Sequence, residues 1–162
     1  MFRNQHKYTS KEEAIKKLRR YCAYQERCHQ EVRSKLLDLK IYGDDLEEVM
    51  MHLIEENFLN EMRFAQAYAR GKFNMKHWGR IKISLGLKNK NITPYLIQKG
   101  LDEIDEDLYL NVLRSEAEKY IDKYKDRLDS YVLRKKTTNY LMRKGYEIPL
   151  IQQVLIRLIE SA

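Results

Sequence analysis

Apolar residues recur every three or four positions along nearly the whole chain, the period of helices that each bury one stripe. Ser10 stands where an N-cap belongs, and Glu13, three residues on, completes a capping box. Ala14, Ile15, Leu18, Tyr21, Cys22 and Gln25 continue one face of a first helix. Val32, Leu36 and Leu39 mark a second, which ends before Gly43. Asp44 and Asp45 open a third with Leu46, Val49, Met50 and Leu53, the acids lying where the helix dipole favours negative charge.

This arrangement recurs. With Ile41 placed over Ile92 and Tyr146, Leu36 falls over Leu87 and Leu141, and Leu46 over Ile97 and Ile151. Met50 then matches Leu101 and Leu155, and Leu53 matches Ile104 and Leu158. Lys40, Asn91 and Gly145 occupy the shared helix end, where Asn and Gly suit a left-handed C-cap and Lys is the weaker match. Thr93-Pro94 supplies an N-cap followed by Pro at the first helical position, and Pro149 sits in the corresponding turn. A leading helix is predicted from Asn60 to about Phe73, with Phe64, Ala67 and Tyr68 inward. Another runs from Asp105 to about Tyr124, with Leu108, Val112, Leu113 and Ala117 as its stripe. The expected fold is all-α: three tandem three-helix repeats over residues 9–58, 59–104 and 105–162, nine helices in an elongated, curved array.

Composition agrees. Hydrophobic residues make up 43% of the 162, too many for a disordered chain, while six Gly and two Pro are too few for a many-stranded β fold. No apolar run approaches the length of a membrane span, and the polar, charged start predicts no export signal. Two cysteines, Cys22 and Cys28, then read as reduced thiols that serve packing, and the expected location is the cytoplasm.

Charge changes the picture more. Lys and Arg number 31 against 24 Asp and Glu, a net +7, and the excess sits almost wholly in the middle repeat. Between Glu61 and Asp102 no acid occurs in 40 residues, which hold Arg63, Arg70, Lys72, Lys76, Arg80, Lys82, Lys88, Lys90 and Lys99. Aromatics are interleaved: Phe64, Tyr68, Phe73, Trp78 and Tyr95. Such a belt attracts a polyanion or an acidic protein surface, although charge runs also occur as merely solvated faces.

Signals for chemistry are absent. His6, His29, His52 and His77 are read as having no i, i+3 or i, i+4 pairing with another ligand, and adjacent Cys28-His29 point apart on a helix. There is no Gly-rich phosphate loop, and the acids lie away from the basic belt, where capping already explains them. No catalytic residue, cofactor or metal is expected.

Several segments together resemble the bacterial RecX regulatory proteins. Leu59 to Tyr68, containing Arg63-Phe64-Ala65, resembles that family's "Leu…Arg-Phe-Ala" segment. Lys76-His77-Trp78-Gly79-Arg80-Ile81-Lys82-Ile83 resembles its "Lys-x-Trp-Gly-x-x-Lys/Arg-Ile" stretch. Glu31 to Leu36 is similar to its "Glu-Leu-x-x-Lys-Leu" helix, and Tyr140 to Tyr146 to its "Leu-x-x-Arg-Gly-aromatic" turn. The resemblance runs from about Thr9 to Glu160. Lys40 departs from the family's usual Gly, Gly86 from a usually long polar residue, and Pro94 to Ile104 from a usually Glu-rich face.

The resemblance implies a non-enzymatic modulator of the RecA recombinase. It would lie along the groove of the RecA–DNA filament and inhibit ATP hydrolysis, strand exchange and filament growth. The partners implied are the RecA filament, DNA phosphates within it and, more weakly, free DNA, with no membrane and a monomeric chain. Arg70, Lys72, Lys76, Arg80, Lys82, Lys88 and Lys90 are the candidate contact surface. Trp78, the sole tryptophan, either anchors that interface or staples the Lys76–Arg80 turn to the next helix. Phe64 is expected in the core, Arg63 at a junction between repeats, Gly79 to permit a turn, and Gly145 at a C-cap. The alternative reading is a stand-alone DNA-binding protein of helix-turn-helix type. Cations spread over two helices and a turn suit phosphate or protein contact better than base reading.

Overall fold

The computed structural model describes residues 8–159. Among these, nine helices and no strand are present: α1 (Lys11–Tyr24), α2 (His29–Asp38), α3 (Gly43–Glu55), α4 (Glu61–Lys76), α5 (Arg80–Asn89), α6 (Pro94–Leu101), α7 (Glu106–Tyr124), α8 (Ser130–Lys144) and α9 (Ile148–Ile159). They fall into two compact units, Met1–Phe64 and Ala65–Ala162, divided within the first turn of α4.

In the first unit α1, α2 and α3 enclose Leu18, Val32, Leu36, Val49, Met50 and Leu53, together with Ala14, Cys22 and Leu46. Each fully buried aliphatic side chain here removes enough surface from water to contribute about 1.5–3 kcal/mol. Ser10 caps α1 by accepting the Glu13 amide at 3.1 Å. At α2 the Glu31 carboxylate reaches back to the Cys28 amide at 3.3 Å.

In the second unit the buried residues include Ala65, Ala69 and Phe73 from α4, Ile83 and Leu87 from α5, Leu113 and Ala117 from α7, Leu133 and Leu141 from α8, and Ile151 and Leu155 from α9. Gly100 lets α6 approach α4, since a Cβ there would stand 2.7 Å from the Ala65 carbonyl oxygen. At Gly86 in α5 the Tyr68 hydroxyl fills the space a side chain would need, so a longer residue there requires Tyr68 to move.

The apolar stripe of α7 differs from its sequence reading. Leu108 is exposed, and Tyr109 is fully buried in its place. The pattern favoured the apolar residue, but the Tyr109 hydroxyl has partners inside the unit: the Arg80 amide donates to it at 3.1 Å and it donates to Glu147. A buried tyrosine whose hydroxyl is satisfied packs as a large hydrophobe, against Phe73 and Tyr146 with ring centroids 5.8 and 5.3 Å away.

The repeat is written most clearly in the backbone. Lys40, Asn91 and Gly145 all take left-handed conformations, with φ of 63°, 61° and 100°. Each is followed by the same pair of bonds. The amides of Ile41, Ile92 and Tyr146 reach the carbonyls of Leu36, Leu87 and Leu141 at 3.0–3.1 Å. The amides of Lys40, Asn91 and Gly145 reach those of Leu37, Lys88 and Met142 at 3.0 Å. This is a Schellman ending three times over, with both members of its apolar contact buried in every copy. Lys40 therefore adopts the cap conformation despite its side chain.

Candidate functional site

The acid-free segment becomes a three-dimensional site at the turn from α4 to α5. Helix α4 ends at Lys76, and His77 turns the chain with φ 55°. Gly79 is the N-cap of α5 with φ −77°, an ordinary value, so turn formation is not the reason for glycine. The reason is approach. The Gly79 amide donates to the Lys144 carbonyl at 2.8 Å and the Ile81 amide to the Gly145 carbonyl at 3.0 Å. The start of α5 and the end of α8 thus satisfy one another's orphan groups. A Cβ at Gly79 would overlap the Gly145 carbonyl, and one at Gly145 would overlap Lys82.

Further bonds from α7 and α8 hold the turn. The Tyr146 hydroxyl donates to the His77 carbonyl at 2.7 Å, and Lys144 Nζ to the Lys76 carbonyl at 2.8 Å. His77 Nδ1 lies 2.7 Å from Glu116 Oε1, and the Tyr140 hydroxyl donates to Glu116 Oε2 at 3.0 Å. Burial alone would raise the Glu116 carboxyl. The His77 and Tyr140 hydrogen bonds, with the charge of Lys144, outweigh that effect and hold it below its ordinary value.

The turn presents Trp78, half-buried, with lysines gathered over its ring. The ammonium groups of Lys82, Lys72 and Lys76 stand 4.5, 4.9 and 5.8 Å from the ring centroid, within cation–π range. Lys72 also lies 5.4 Å from the centre of Tyr68. Desolvation, then repulsion from Lys76 and Lys90, lowers the Lys72 pKa.

The other predicted contact residues divide. Arg80 is occupied internally: it pairs with Glu106, reaches Glu147 at 2.7 Å and stacks 3.9 Å from the centre of Tyr109. Sequence spacing grouped it with the contact lysines because its carboxylate partners are distant in the chain. Arg70 is exposed and lies 3.6 Å from Glu103. Lys88 is exposed in the last turn of α5, and Lys90, partly buried, is its C-cap. Arg63 binds Glu26 at 2.6 Å and the Asn57 and Phe58 carbonyls at 3.0 and 3.3 Å, tying the start of α4 to the α1–α2 loop and the end of α3. Phe64 is buried, as expected.

Sequence does not assign Lys144, Glu116, Tyr140, Tyr146 and Glu147 to this site, although Tyr146 reads as a repeat position and Tyr140 to Tyr146 as a family-like turn. That segment marks a turn and not the partner it meets. Among the described residues no group of three or more His, Cys, Asp or Glu is placed to hold a metal ion. His52 does pair at helical spacing, with Glu56 at 2.8 Å, but that carboxylate also binds Arg19 at 2.7 Å, an ordinary surface ion pair. Cys22 is buried, its thiol pushed up to about 11. No described helix is long and apolar enough to cross a membrane.

Two family models match: the second three-helix domain of RecX over residues 60–101 and the third over residues 106–155. The chain belongs to the RecX family. "Regulatory protein RecX" from Lactococcus lactis subsp. lactis is 32% identical over 128 residues, 78% of this chain and 47% of that protein. The protein of that name from Streptococcus uberis is 25% identical over 83% of this chain and 51% of its own length. The chain spans about half the length of these curated RecX relatives. The crystal structure of RecX from Lactobacillus salivarius superposes with a TM-score of 0.83 at 24% identity, covering 94% of this chain and 97% of that one. A second RecX crystal structure gives a TM-score of 0.79 at 18% identity, covering 94% of this chain and 72% of that one. The fold is therefore that of solved RecX proteins.

Proposed function

We propose that this chain regulates the RecA recombinase by binding the RecA–DNA nucleoprotein filament and suppressing its ATP hydrolysis, strand exchange and growth. It acts as a monomer in the cytoplasm and by binding alone, with no catalytic step of its own. The repeats at 9–58, 59–104 and 105–162 supply the scaffold, and Lys72, Lys76, Trp78, Lys82, Lys88 and Lys90, with Arg70 at the margin, supply the contact face. Membership of the RecX family points to the regulatory role, and the lysines gathered over Trp78 carry the assignment of the face.

Arg80 argues against the helix-turn-helix alternative. It stands at the first position of α5, where a base-reading side chain would be expected, and is engaged by Glu106 and Glu147. Co-sedimentation with RecA filaments assembled on single-stranded DNA tests the reading. At physiological salt the filament should retain the chain at least about tenfold more tightly than the same DNA without RecA. Equal affinity for the two would contradict it.

A further inference from the structure

A groove of about 560 Å³ runs between α7 and α9. Its floor is apolar, formed by half-buried Leu110 and Val154. Exposed amides line the walls, Asn111 from α7 and Gln153 from α9, and each helix adds one exposed guanidinium, Arg114 and Arg157. The side chains of Asn111, Gln153 and Arg157 make no hydrogen bond or ion pair among the described residues. Arg114 meets Glu118 at 3.3 Å, but both side chains are half exposed, and a surface pair of this kind contributes little and exchanges readily. Asp107 completes the lining. It precedes Arg114 by two helical turns, about 10 Å along α7, so this wall changes from negative to positive over its length.

We propose that this groove binds the free carboxyl terminus of a partner polypeptide, with the terminal carboxylate taken by Arg114 and Arg157 and an apolar side chain seated on Leu110 and Val154. A planar guanidinium takes a carboxylate through two parallel hydrogen bonds, and here two of them line one groove from separate helices. The side-chain amides of Asn111 and Gln153 each offer donors and an acceptor, which the last peptide groups of an extended chain require. The charged stretch of the α7 wall, about 10 Å, matches the reach of about three extended residues. A nucleic-acid strand fits this pattern poorly. Its phosphates repeat along the whole strand, and Asp107 and Glu118 would repel those lying beyond the arginines. A polypeptide end concentrates its negative charge at one point and leaves an apolar side chain for the floor. The groove shares no residue with the contact face around Trp78, and its occupancy is independent of the filament reading.

Fluorescence anisotropy of a labelled Gly-Lys-Ala-Leu peptide with a free carboxyl terminus, titrated with the intact chain, tests the site. The peptide should bind saturably, and at least about tenfold more tightly than the same peptide ending in a carboxamide. That comparison needs no variant and so carries no folding artefact. R114Q and R157Q should each weaken binding of the free acid by at least about threefold while leaving the carboxamide unaffected. R143Q, on α8 and outside the groove, should alter neither. The proposal is overturned if the free acid fails to saturate, if acid and carboxamide bind equally, or if both glutamine variants keep the wild-type affinity for the acid. It is overturned in favour of nucleic acid if an oligothymidylate of about 12 nucleotides loses as much affinity to R114Q and R157Q as the peptide does. Sedimentation showing a wild-type dimer and an R157Q monomer would give the groove to a second copy of this chain and overturn it likewise.

Discussion

Gly79 and Gly145 meet backbone to backbone: a methyl on Gly79 would overlap the Gly145 carbonyl, and one on Gly145 would overlap Lys82. Their contact fastens the start of α5 to the end of α8 and holds the α4–α5 turn that carries Trp78. The two glycines have different requirements. Gly145 needs both its left-handed φ and the close approach, whereas Gly79 needs the approach alone.

Gly79→Ala should therefore destabilise the second unit by about 2–4 kcal/mol, the range expected when close-packed backbone is forced apart. Gly145→Ala should cost at least as much, since strain at φ 100° adds to overlap with Lys82. Gly71, inside α4 with nothing near its missing Cβ, is the control: Gly71→Ala should stabilise by about 0.5–1 kcal/mol. Urea denaturation followed by helical signal checks all three.

Lys40 occupies a left-handed cap without the residue that suits it best. Lys40→Gly should raise stability by up to about 1 kcal/mol by relieving the Cβ penalty, whereas Asn91→Ala should lower it. An unchanged midpoint for Lys40→Gly in thermal unfolding would mean that the Schellman turn of the first repeat is not under strain.

Arg63→Ala should cost about 1–3 kcal/mol, because Glu26 and the Asn57 and Phe58 carbonyls all lose their donor. Arg63→Lys should recover little, since one ammonium cannot span the carboxylate and both carbonyls. Double-mutant cycles with Glu26→Gln measure the share due to the ion pair.

Glu116 makes the second unit acid-sensitive. Its folded pKa lies below the ordinary 4.5, so its contribution to stability is complete above about pH 4.5 and is lost as pH falls through the folded value. Stability measured between pH 6 and about 3 should decline, and Glu116→Gln should flatten that limb while lowering stability at neutral pH. An identical acid limb in the variant would show that other carboxylates dominate.

What could be read from sequence follows the range of each interaction. The repeat was legible because Leu36–Ile41, Leu87–Ile92 and Leu141–Tyr146 are local pairs, each closing a turn within six residues. Helix ends were legible at Ser10 and Thr93, whose hydroxyls accept amides three residues on. The site was legible only as a list of cations. Arg80 proved internal because Glu147 reaches it from 67 positions away, and Lys144 entered because it meets Lys76 from 68 away. Tyr109 displaced Leu108 from the core for the same reason, its hydroxyl being satisfied by Glu147, 38 residues on. Long-range polar pairing leaves no periodic trace in a sequence.

Regulation of RecA is tested most directly by following ATP hydrolysis by RecA on single-stranded DNA while the chain is added below stoichiometric amounts. The rate should fall progressively, and a charge-reversed K76E/K82E chain, folded by circular dichroism, should be at least about tenfold less effective. A hydrolysis rate that the folded wild-type chain leaves unchanged would contradict a regulatory role on RecA.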